Sequence, residues 1–175
     1  MSGKNERGFT LLEVMIAATL FVIGVLGVVG MRVAAINANR SAGRMAQATY
    51  LAQEQAEMLL AQDFDSSTLT DSNTGNNPTG PSADFTTIPD TTVSPTSLVD
   101  GYDANQITLD GTTSTDAFGT GTGYQRMWQI ADQDLNSSIA GNDAKKIKVT
   151  VRYRDATNSA RYHGVSVSVV KAKVF

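Results

Sequence analysis

Apolar and polar positions divide the chain into four stretches with different periodicities. Residues 9–31 read FTLLEVMIAATLFVIGVLGVVGM, in which Glu13 is the one charged residue. A helix of that length spans about 35 Å at 1.5 Å per residue, enough to cross a bilayer. From residue 32 to 62 the pattern becomes amphipathic. Ala34, Ala38, Met45, Ala48, Ala52, Ala56 and Leu59 recur at three- and four-residue spacing, and Arg40, Arg44, Gln47, Gln53, Glu54 and Glu57 fill the other faces. No proline interrupts residues 9–62. The spacing therefore predicts one continuous helix of about 80 Å, whose outer half lays an alanine-rich stripe on a sheet.

Residues 63–123 lose that periodicity and turn to Thr, Ser, Asp, Asn and Gly, with all four prolines inside them. They read as a long connecting region with short strand candidates at 97–99 and 106–109. Residues 71–82, DSNTGNNPTGPS, offer no apolar anchor, and disorder is expected in part of them. Strand periodicity returns over 124–175. Trp128 and Ile130 face one way; Ile147, Val149, Val151 and Tyr153 alternate with Lys148, Thr150, Arg152 and Arg154; Val165, Val167 and Val169 alternate with serines. These predict three antiparallel strands, the last two joined through 155–160, with a bulge at Val169–Val170, where the alternation changes register. The expected fold is α+β: one long N-terminal helix packed on a C-terminal antiparallel sheet of three to five strands.

Charge sharpens this division. Residues 1–44 carry five basic and two acidic residues, 45–125 carry eleven acidic and no basic, and 126–175 carry nine basic and four acidic, within a net charge of −3. The acidic block reads as a solvated surface and repels nucleic acid and anionic lipid. The basic residues of the sheet are expected on its polar face, away from the helix, as solubilising and edge-protecting groups. A sharper reading sets them against acidic surfaces of neighbouring subunits.

Sites for chemistry are scarce in the pattern. The chain has no cysteine, and its one histidine, His163, has no nucleophile and acid spaced to use it, so it reads as a strand-end residue. Asp63 with Asp65, or Asp100 with Asp103, lack the twelve-residue spacing and terminal glutamate of a calcium loop and read as turn formers. The glycines over 118–123 follow no apolar strand and open no helix, which marks a turn and not a phosphate loop. No cofactor, metal or enzymatic activity is expected.

The N-terminus carries the functional signal. Lys4 and Arg7 precede the apolar run, which by the positive-inside rule keeps this end in the cytoplasm and translocates the rest. A secretory signal cleaved near Val33-Ala34-Ala35 is the rival reading. The apolar run is too long for one, Arg32 stands beside the small residues, and Glu13 interrupts the core. A carboxylate one turn inside a membrane span costs a few kcal/mol without a partner, so Glu13 either snorkels, is protonated, or meets a cation. Cleavage between Gly8 and Phe9 would create an α-amino group at the same depth. Gly24, Gly27 and Gly30 either allow local melting and close packing or are ordinary glycines of a membrane helix.

The string Arg7-Gly8-Phe9-Thr10-Leu11-Leu12-Glu13-Val14 resembles the leader junction of type IV prepilins and pseudopilins. That resemblance implies that residues 1–8 are a leader removed by a prepilin peptidase, that Phe9 is then N-methylated, and that Glu13 neutralises the amine of an adjacent subunit. It further implies a pilin-like lollipop with segments 9–31, 32–62, 63–123 and 124–175. Its partners would be other pilin subunits, the peptidase and the inner-membrane assembly machinery. In major pilins a proline often stands where this chain has Gly30, and Glu13 is absent from one tip subunit of these systems. The strand pattern around Arg126, Trp128 and Ile130 is similar to minor pilins of the PilV kind. The function implied is that of a minor pilin, first held in the inner membrane and then placed in the filament or at its tip. The alternatives are a type II secretion pseudopilin, a major pilin, or, outside the family, an anchored adhesin or binding domain that never polymerises.

Overall fold

A computed structural model describes residues 10–78, 83–85, 87–88, 98–103, 105–107, 113–117, 123–134, 142–154 and 161–173. Among the described residues the backbone forms one α-helix, α1 (Leu11–Ala61), and six strands: β1 (Gly101–Tyr102), β2 (Asn105–Ile107), β3 (Thr113–Ala117), β4 (Tyr124–Gln133), β5 (Ala144–Arg154) and β6 (Tyr162–Ala172). Contacts divide the chain into two units, Met1–Gly43 and Arg44–Phe175. This is the expected α+β arrangement, a long N-terminal helix packed on an antiparallel sheet.

The first unit is a helix without a core. Every described residue of 10–43 is exposed, including Leu12, Ile16, Leu20, Phe21, Leu26 and Val29. The helix is long and apolar enough to cross a membrane. Its backbone hydrogen bonds are satisfied internally, which is what a spanning segment requires.

The second unit buries the other end of α1. Ala48, Leu51, Ala52, Gln55, Ala56 and Leu59 form its covered stripe. Ala48, Ala52, Ala56 and Leu59 match the alanine-rich stripe expected, whereas Met45 faces outward at 57% exposure, and Leu51 and Gln55 join the buried face. Small side chains bring the helix axis close to the sheet, and the two leucines fill the space between. Opposite them lie Tyr124 and Ile130 of β4 and Ile147, Val149, Val151 and Tyr153 of β5, with Trp128, Val165, Val167 and Val169 partly buried at the margin.

The sheet order is β3-β2-β4-β5-β6, all pairs antiparallel, with β1 also pairing β4. Six strands thus exceed the three to five expected, because Gly101, Tyr102 and residues of β2 and β3 add pairings that the Thr- and Asp-rich composition hides. Of the candidate strand at 97–99, Leu98 is in a 3-10 turn, Val99 is irregular and 97 lies outside the described residues; the pairing begins at Gly101. Gly101 lies against the indole of Trp128, where a Cβ would come within 2.3 Å of the ring. Of the candidate at 106–109, Gln106 and Ile107 are in β2, and 108–109 lie outside the described residues, as do the 155–160 connection and most of the glycine-rich turn.

Two further expectations are overturned. The β5–β6 register runs unbroken from Arg154 opposite Tyr162 to Ala144 opposite Ala172, so no bulge occurs at Val169–Val170. Lys171 keeps the inward position that alternation gives it, and its Nζ donates to the carbonyls of Leu60 and Gln62 at 2.5 Å each. The last turn of α1 carries no basic residue of its own, so the sheet supplies the cation its carbonyl end attracts. Nor are the basic residues confined to a solvent-facing side. Arg126 faces the helix and bonds Asp103 at 2.8 Å and Glu54 at 3.4 Å. Lys145 pairs with Asp132 and lies over the Phe64 ring.

On the other side of the sheet, Lys146 donates to the Ala83 carbonyl, Lys148 to Asp84, and Gln129 to the Leu98 carbonyl. Val99 and Ile88 cover Met127. Arg152 is buried over the Tyr162 ring, with Nε donating to Gln125. Parts of the connecting region therefore act as a strap over the face opposite α1.

Asp100 pins that strap. Its Oδ1 accepts from the backbone N–H groups of Ser72 and Asn73 at 2.8 Å each, and its Oδ2 accepts from the N–H of Ile130 at 2.6 Å. Its own N–H donates to the Trp128 carbonyl. Residues 71–78, from the 71–82 stretch in part of which disorder is expected, accordingly hold a short 3-10 turn at Thr74–Asn76 and an Asn77–Asp71 hydrogen bond. Their anchors are the Asp100 carboxylate and, at the end of the stretch, the buried Pro78. Residues 79–82 lie outside the described residues.

Candidate functional site: the N-terminal segment

The first turn of α1 explains how an acid is carried at the start of an apolar helix. Thr10 precedes the helix, and its carbonyl already accepts from the N–H of Val14, which makes it the N-cap. Its hydroxyl accepts from the N–H of Glu13 at 3.3 Å. Thr10 and Glu13 thus stand at the two ends of a capping-box pattern, T-x-x-E. The carboxylate of Glu13 falls in the first turn, where four backbone N–H groups lack helical acceptors and the helix dipole favours negative charge.

Thr10 is the capping residue that hydropathy reading overlooks. The signal was present, since a threonine three residues before a glutamate at the head of an apolar run marks a helix start. Gly8 and Phe9 lie outside the described residues, so the structure gives no distance from the Phe9 amine to Glu13.

Beyond the first turn the segment offers shape and not chemistry. The residues over 11–31 other than Glu13 supply apolar surface and one hydroxyl, which Thr19 returns to the Met15 carbonyl. No atom outside the helix comes within 4 Å of a Cβ built at Gly24, Gly27 or Gly30, so the glycines leave notches in the exposed surface.

Residues 3–29 match the prokaryotic N-terminal methylation motif. The methylation motif contains Gly8, Phe9, Thr10 and Glu13 and most of the apolar helix, and it makes the N-terminus type IV prepilin-like. It fits a membrane-anchored precursor processed by a prepilin peptidase, and it points to a structural subunit that assembles with other pilins. The sheet lies outside the matched residues. No curated protein and no solved structure matches the chain.

The other candidate residues serve structure, and of Asp63 the backbone carbonyl accepts from the N–H of Ser66. Asp100 and Asp103 are directed at N–H donors and a guanidinium. Asp65 lies 3.7 Å from Lys173. His163, exposed on β6, sits opposite Tyr153 with ring centroids 6.1 Å apart. Among the described residues, no three His, Cys, Asp or Glu side chains gather to hold a metal ion.

Tyr124 and Asp84, both in the second unit, are perturbed. Burial pushes the Tyr124 phenol above the ordinary tyrosine value, against a smaller opposing pull from Arg44. Its hydroxyl donates toward the Arg44 carbonyl or Gln47 Oε1, each at 3.3 Å. The hydrogen bond from Lys148 holds Asp84 below the ordinary carboxylate value.

Proposed function

We propose that this chain is a minor pilin of a type IV pilus, cut after Gly8, methylated on Phe9, and assembled through its N-terminal helix. The observation that carries the reading is the methylation-motif match over 3–29, with Glu13 standing fifth after Gly8 as the one charge in the apolar run. Before assembly the helix spans the inner membrane with its N-terminus cytoplasmic and the second unit translocated. On assembly it leaves the bilayer for the filament core, where Glu13 neutralises the Phe9 amine of an adjacent subunit.

The Thr10 cap supports this two-stage role. Helix N–H groups stabilise the Glu13 carboxylate while it waits in lipid, and the neighbour's amine becomes its stronger partner once subunits meet. Gly30, in place of the proline frequent in major pilins, favours a minor subunit. Replacing Glu13 with Ala tests the assembly role. Incorporation into sheared filaments should fall at least about tenfold, as loss of an ion pair in an apolar setting predicts. Unchanged incorporation would remove the charge-pairing step.

A further inference from the structure

We draw no further inference here: the strongest candidate, the outer edge of β6 with its half-buried row of Val165, Val167 and Val169, unpaired among the described residues, carries nothing because nothing in the structure shows what covers it.

Discussion

The two portions of α1 share a backbone conformation and differ in what surrounds them. Over 11–31 apolar residues cover the circumference apart from Glu13 and Thr19, and none is buried by the described remainder of the chain. Over 44–61 the apolar stripe is narrow, mostly alanine, and almost wholly covered by the sheet. A helix that is apolar all round needs an environment from outside its own fold, whereas one with a single stripe finds its cover within it. The first portion therefore specifies a lipid or protein surrounding and the second specifies a tertiary partner.

Paired truncations should separate the two most sharply. Leu59→Ala should destabilise the second unit by about 2–5 kcal/mol, because its buried side chain would leave a cavity against the sheet. Leu20→Ala, in the exposed portion, should shift denaturant unfolding of that unit by less than about 0.5 kcal/mol. Equal losses would mean that the exposed portion shares the core. Asp100→Ala should cost about 2–3 kcal/mol by stranding three backbone N–H groups, and hydrogen exchange should accelerate first at Ser72, Asn73 and Ile130. Uniform acceleration across the sheet would show that Asp100 does not pin the strap locally.

Smaller effects come from the titrating groups. Tyr124→Phe should cost about 1 kcal/mol. Because the folded phenol titrates above its unfolded value, the wild type keeps Tyr124's contribution below about pH 10 and loses it as pH rises through the raised folded value. The Phe variant should lack this alkaline loss, as urea midpoints from pH 9 to 11 would reveal. Asp84 has the opposite sign. Its folded value is depressed, so its contribution is present above the ordinary aspartate range and disappears as pH falls below it. With 61% of its side chain exposed the pair with Lys148 is screened, and Asp84→Asn should cost less than about 1 kcal/mol at pH 7 and nothing near pH 2.

How much of this was legible depended on whether a pattern was local. The helix and the three long strands follow from the spacing of apolar residues, since Ala48, Ala52 and Ala56 or Val149 and Val151 report their burial through near neighbours. Lys171 misled because its partners, the Leu60 and Gln62 carbonyls, are over a hundred positions away. Its inward position then looked like a change of register. Asp100 was opaque for the same reason: an aspartate before glycine reads as a turn, and nothing nearby announces three distant N–H donors. Thr10 was legible and overlooked, whereas the Gly8–Phe9 junction was visible only as a motif.

The mass of the mature N-terminus, measured in a strain with an active prepilin peptidase, tests the central claim most directly. The account predicts a chain that begins at Phe9 and carries one methyl group on its amine. A chain that still begins at Met1, or one cut after Ala35, would contradict it.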